Sequence, residues 1–338
     1  VATSVFTFLV VQSAACSLLS ATLLTVPRYK LTIAYDGTDF CGWQKQEPLL
    51  EHAQNTGSMK HVEETLSANT PDRVALRTVQ AVVEKAIREV VREEVILFGA
   101  SRTDSGVHAR GQIGAFTTTE DPERIAKGSG WPIERGLDSL LRAINGRLPR
   151  DVLITAAELV DQTFDPVGDC TSKAYSYTIH ASRTRALWDR SYVHHVWEPL
   201  ELGAMEQAAA MVVGEHDFAA FAAAGHGRVS TVRTIHSCTI RDITAQTYQD
   251  RFGVDTPVLG PLSPTLAYPT ESRRYRIDIS GNGFLWNMVR IIAGTIADAG
   301  RGRRSLDDIA RALSTGDRKR AGPTFPPMGL CLEWVRYR

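Results

Sequence analysis

The chain has 338 residues, 43% hydrophobic and 22% charged, enough to bury a large core as two domains or one large α/β body. Its 38 Lys and Arg balance 38 Asp and Glu, so net charge alone does not announce a polyanion partner. Five Cys without C-x-x-C spacing and nine His without H-E-x-x-H argue against a disulfide framework and a protein-held metal, and fit reduced thiols in a cytoplasmic protein.

Residues 1–25 are apolar, contain no Lys or Arg and begin with Val. A secretory signal needs a basic n-region, and Gln12, Ser13 and Ser17 interrupt the run too often for a spanning helix. The expectation is an unassigned, dispensable extension upstream of a start near Val26, with no membrane role. From Pro27, Leu31, Ile33 and Tyr35 alternate with polar or small neighbours and predict a strand ending at Asp36-Gly37. Residues 47–76 carry no clear period and read as an inserted surface loop. Val79, Val82, Val83, Ala86, Ile87, Val90 and Val91 then fall on one helical face, predicting a helix over 78–91. Val95–Phe98 and Gln112–Phe116 read as strands on either side of a polar turn, followed by a helix over 133–144 and a strand from Val152.

The second half repeats the theme. Strands are predicted at 174–180, 234–244, 273–280 and 331–337, with helices at 203–213, 284–299 and 305–315 and a second insertion at 246–271. Two β-α-β-β-α-β-like halves, 26–165 and 166–338, imply an α+β fold of two ferredoxin-like (RRM-like) units.

The turn at Ala100–Ala109 sets Arg102 and Asp104 two residues apart at a sheet rim. Asp-Ser-Gly is first of all a turn sequence, the Asp bonding its own backbone and Gly106 supplying a positive φ. Two further features bear on chemistry. Arg290 is the only charge in the apolar run Phe284–Ala293, and an isolated buried charge is so costly that it should be paired, unless its stem snorkels to a polar edge. Residues 271–338 hold thirteen Lys or Arg against seven Asp or Glu, with Arg301, Arg303 and Arg304 clustered; this predicts a phosphate-binding face, or a merely solvated one.

Arg102-Thr103-Asp104-Ser105-Gly106-Val107-His108-Ala109 resembles the R-T-D-x-G-V-H-A signature of the TruA-type tRNA pseudouridine synthases. The resemblance runs from about residue 28 to the C-terminus, in family order. It takes in Tyr35–Gln44 (Y-D-G-T-x-F-x-G-W-Q), Arg77–Gln80, Lys173–Tyr177 (K-x-Y-x-Y), Gly214–Phe218 (G-x-H-D-F), Asn287–Gly294 and Ala321–Leu330. It implies an extended, mostly antiparallel sheet with helices on one face, a central catalytic cleft and a homodimer. The implied reaction converts uridine to pseudouridine at tRNA positions 38, 39 and 40, with no cofactor. Asp104 would be the nucleophile, Arg290 its neighbouring counter-charge, and Tyr175 the ring that stacks on uracil and a candidate to accept the C5 proton. Tyr175 shares a strand face with Tyr177 and Ile179, so core packing is the alternative for it. Arg102 and His108 are the expected substrate contacts. Ser101 stands where many relatives have Gly, and Val167-Gly168 follows Phe164-Asp165-Pro166 where the family often has Arg. Competing readings are a non-catalytic RNA-binding protein with exposed aromatic platforms and a glycosidase or nucleoside hydrolase, which needs a second carboxylate opposite Asp104.

Overall fold

The computed structural model describes residues 27–49, 51, 62–65, 73–119, 121–223, 225, 229–244 and 272–338. The extension 1–25 and the insertion core 246–271 lie outside the described residues. The chain forms a ten-stranded, mostly antiparallel sheet with helices packed on it, a mixed α+β architecture. No helix among the described residues is long and apolar enough to cross a membrane.

Strand β1 (Arg28–Tyr35) alternates half-buried and buried residues along its length, as its sequence period requires. The 47–76 region is not wholly a loop: β2 (Val62–Thr65) pairs β3 (Val74–Leu76) in a separate two-stranded sheet. Helix α1 (Val79–Val91) is capped by Thr78, whose hydroxyl accepts the Ala81 N–H, and it buries Val79, Val82, Val83, Ala86, Ile87 and Val91.

The expected strand at Val95–Phe98 shrinks to β4 (Phe98–Gly99). The cause is local competition for backbone groups. Gln80 and Glu84 of α1 bond the Leu97 carbonyl and N–H at 2.8 and 3.0 Å, and Arg88 donates to the Val95 carbonyl, so side chains replace a strand partner. Long β5 (His108–Thr117) leaves the turn and pairs β1 and β4. Short α2 (Pro122–Ala126), α3 (Leu137–Asn145) and edge strand β6 (Val152–Val160) follow.

β7 (Cys170–Ala181) carries the K-x-Y-x-Y run and pairs β8 (His194–Val196) in parallel. After α4 (Leu202–Met211), the G-x-H-D-F segment is the unexpected strand β9 (Gly214–Asp217), paired to β10 (Val232–Asp242). β11 (Arg273–Gly281) lies between β10 and β7. α5 (Met288–Gly300) is buried at every residue except Arg290, as expected of a mostly apolar helix whose Asp298 is paired by Arg301. Helix α6 (Leu306–Thr315) opens with a Ser305 capping box, and β12 (Leu330–Tyr337) closes the chain.

The strand order is β6-β1-β5-β12-β7-β11-β10-β9. The last strand is therefore the seam. It runs antiparallel along β7 and meets β5 in a short parallel register, Cys331 with His108 and Leu332 with Ala109. That seam brings the Asp104 turn, which leads into β5, against β7 and the start of α5.

Candidate active site

A cleft of about 970 Å³ opens where these elements meet, lined among others by Arg102, Asp104, Lys173, Tyr175, Trp286 and Arg290. The Asp104 turn is held from below by the Y-D-G-T-x-F-x-G-W-Q segment. Trp43 N–H donates to the Thr103 carbonyl at 3.1 Å, the Tyr35 hydroxyl meets that of Thr103 at 2.7 Å, and Ser105 Oγ donates to the Phe40 carbonyl. Gly42 has φ +85, and a Cβ there would sit 2.5 Å from the Thr103 carbonyl oxygen, so a side chain is excluded on both counts. Gly106 has the positive φ the turn demands, +77. The Asp104 carboxylate, however, does not close its own turn. That bond is made by its backbone carbonyl, which accepts the Val107 N–H, leaving the carboxylate to face the cleft.

Arg290 Nη1 donates to Asp104 Oδ2 at 3.1 Å, with side chains 15% and 32% exposed. The guanidinium is not snorkelling. Its Nε donates to the Phe325 carbonyl at 2.6 Å and its Nη1 also reaches Asn287 Oδ1 at 2.6 Å, which accounts for the A-G-P-T-F segment lying beside the site. Trp286 donates its indole N–H to Asp104 Oδ1 at 3.1 Å.

Tyr175 is buried, its hydroxyl 3.0 Å from Ser101 Oγ and its ring edge-on to Phe284 at 5.2 Å. Burial, helped by the nearby Asp104 charge, pushes its phenol up to about 12, so in the resting site it holds its proton. Lys173 Nζ donates to the Ala100 carbonyl at 2.6 Å and reaches Ser101 Oγ at 3.3 Å, bracing the turn. Arg102 is exposed on the cleft lining and has no ion-pair partner among the described residues. The other carboxylate lining the cleft, Asp165, accepts the Val167 N–H at 2.8 Å and closes its own turn.

Four expected contacts, His108, Arg301, Arg303 and Arg304, lie outside the cleft lining. His108 is buried outside the cleft lining, its Nδ1 accepting the Gly37 N–H at 3.0 Å and its Nε2 2.9 Å from the Ser191 carbonyl, so in this structure both ring nitrogens are engaged by the fold. Arg301 is 10% exposed and paired inward to Asp298 at 3.0 Å and Glu198 at 3.4 Å. Arg303 pairs Glu198 at 2.6 Å, and Arg304 donates to the Lys319 and Arg320 carbonyls. The basic run of the C-terminal region thus spends much of its charge internally, because the acids that neutralise it, Glu198 and Asp298, are distant in sequence or on the preceding helix.

Trp286, Asn287, Phe284 and Lys173 are site residues for which sequence reading assigned no role. Lys173 and Asn287 carried a signal, as the first residues of two of the matched runs; Asn287 adopts φ 61, a conformation Asn tolerates better than most residues, at the entry to α5.

A sequence model of the family described as tRNA pseudouridine synthase matches residues 208–338. Among curated proteins, the chain is 35% identical to tRNA pseudouridine synthase A 2 of Clostridium perfringens over 91% of this chain and 98% of that protein. It is 35% identical to tRNA pseudouridine synthase A of Pelobacter propionicus, again over 91% of this chain and 98% of that protein. The tRNA pseudouridine synthase A of Clostridium botulinum is 33% identical over the same shares. With similarity of this extent covering both the Asp104 turn and the Arg290 helix, the chain belongs to the TruA-type tRNA pseudouridine synthase family.

Proposed function

We propose that this chain isomerises uridine to pseudouridine in tRNA, with Asp104 as the nucleophile. The observation that carries the reading is a carboxylate facing a cleft with a guanidinium on one oxygen and an indole N–H on the other. The reaction breaks the bond from ribose C1′ to uracil N1, turns the base and joins C1′ to C5, whose proton then leaves; it needs neither redox chemistry nor phosphate energy. An aspartate serves as a nucleophile only while ionised, and Arg290 is the cation paired with that carboxylate at the cleft. Tyr175 offers a ring against which a base can stack. As its phenol is protonated at rest, it can take the C5 proton only after giving up its own.

Arg102, a cation with no ion-pair partner among the described residues at the cleft, is suited to the phosphate or the vacated stack of an extruded nucleotide. The target uridines we infer are positions 38, 39 and 40 of the anticodon arm, in the cytoplasm, with the chain acting as a homodimer. We further read residues 26–165 and 166–338 as two ferredoxin-like halves. The sheet order supports this: β6, β1 and β5 come from the first, β7 and β9 to β12 from the second, and β12 joins them. Arg102, Lys173 and Arg290 concentrate positive charge at the cleft, which suits a polyanion substrate despite the neutral total.

The test is incubation with an unmodified tRNA transcript followed by mapping of pseudouridine by position. Formation at 38, 39 or 40 is expected. Tight binding without any pseudouridine would favour the non-catalytic RNA-binding alternative.

A further inference from the structure

We infer that Trp286 is a positioning residue for Asp104, an inference that rests on the reading of Asp104 as nucleophile. The carboxylate is held by two donors on different oxygens, Trp286 Nε1 on Oδ1 and Arg290 Nη1 on Oδ2, each at 3.1 Å. One donor fixes a carboxylate's distance; two donors on separate oxygens also fix the rotation of its plane, and orientation is where much of a bound nucleophile's advantage lies.

The two donors differ in kind. Arg290 is largely buried and tethered to Phe325 and Asn287. Trp286 is 51% exposed, which a large aromatic ring contributing only to the core would not be. Its backbone is nevertheless fixed. The Trp286 carbonyl accepts the Ala223 N–H at 3.0 Å, and its neighbours Leu285 and Met288 are buried 5% and 0% exposed anchors. The left-handed Asn287 then turns the chain into α5. A rigid backbone with an outward-facing ring presents the indole N–H to the carboxylate from the solvent side, while Arg290 holds it from the protein side. Removing Trp286 therefore leaves the ion pair in place and frees the carboxylate plane.

The experiment compares wild type, Trp286→Phe and Trp286→His on the tRNA transcript, with melting curves recorded alongside. Trp286→Phe keeps a ring and loses the donor: kcat should fall about tenfold, the loss of roughly one hydrogen bond to a charged group, with KM within about twofold and melting unchanged. Trp286→His, which regains an N–H donor, should recover part of the lost kcat. An unchanged kcat, or a raised KM with kcat intact, would overturn the inference and make Trp286 an RNA contact only. The contact also has a readout independent of turnover. The indole N–H resonance absent from the Trp286→Phe spectrum should move upfield in Asp104→Ala, and an unmoved resonance overturns the inference. Should wild type make no pseudouridine while that resonance does move, the proposed function fails and the contact stands.

Discussion

Arg290 and Asp104, 186 residues apart, meet at 3.1 Å across the seam made by β12. The first comes from a helix buried at every other residue, the second from a turn at the sheet rim. Neither geometry exists until both parts of the chain are docked, so the pair reports on docking as well as on chemistry. Arg290→Ala should abolish most pseudouridine formation. It also leaves the Phe325 carbonyl and Asn287 without their donor, for a stability loss of about 1–3 kcal/mol by denaturant melts. Arg290→Lys keeps the charge but cannot serve Phe325, Asn287 and Asp104 with one planar fork, so it should recover stability better than activity. Full activity in Arg290→Ala would remove the ion pair from the mechanism.

Asp104→Asn is nearly isosteric and should leave the fold intact while ending turnover. Affinity for tRNA should stay within a few-fold, since phosphate contacts dominate binding and this carboxylate makes none. Measurable pseudouridine from this variant would mean the nucleophile lies elsewhere.

The Asp104 turn, Arg290 and Tyr175 were legible because each sits in a long local pattern whose chemistry is carried by residue type and order. His108 and Arg301 belong to equally clear patterns but are turned inward. What decides that is a partner remote in sequence: Gly37 and Ser191 for the imidazole, Glu198 for the guanidinium. Charge counting over a window sees the arginines and not the acids folded onto them. The strand expected at Val95–Phe98 failed for a related reason, since the apolar run was real but its backbone groups were already taken by Gln80, Glu84 and Arg88. Trp286 carried no signal in a single sequence at all; its role depends on the left-handed Asn287 and on a carboxylate brought in from elsewhere.

Gly42→Ala should cost activity out of proportion to its size. The substitution meets a φ of +85 and the Thr103 carbonyl at 2.5 Å, immediately before Asp104. Strain of this kind costs about 1–3 kcal/mol. Relief by movement of the Thr103 peptide would displace the carboxylate from Arg290 and Trp286. Lower melting temperature together with a reduced kcat is expected; wild-type kinetics would show that the turn tolerates the shift.

Stability should fall with acid between about pH 6.5 and 4. Burial, reinforced by the Arg274 charge and opposed only in part by the Thr184 hydrogen bond and the Asp189 charge, lowers His180 to about 4, and burial with the Arg301 charge lowers His194 to about 4. A depressed histidine binds more protons unfolded than folded in that window, so its contribution is complete above the unfolded value of about 6.5 and lost as pH drops through 4. Melting temperature followed against pH should show that slope in wild type and a flatter one in the double variant His180→Gln, His194→Gln. Equal slopes would assign the acid sensitivity to other groups.

Salt dependence of tRNA binding separates the cations that face RNA from those that hold the protein together. Arg102 is exposed at the cleft, so Arg102→Ala should flatten the slope of log affinity against log salt by about one, the signature of one lost phosphate contact, with little change in melting. Arg301 is 10% exposed, paired to Asp298 and 5.9 Å from the Phe325 ring whose carbonyl steadies Arg290. Arg301→Ala should leave the slope unchanged and instead destabilise the fold by about 1–3 kcal/mol, the cost of leaving a buried charged partner unsatisfied. A slope flattened equally by both substitutions would show that the C-terminal basic run reaches phosphate after all, its internal ion pairs giving way to RNA.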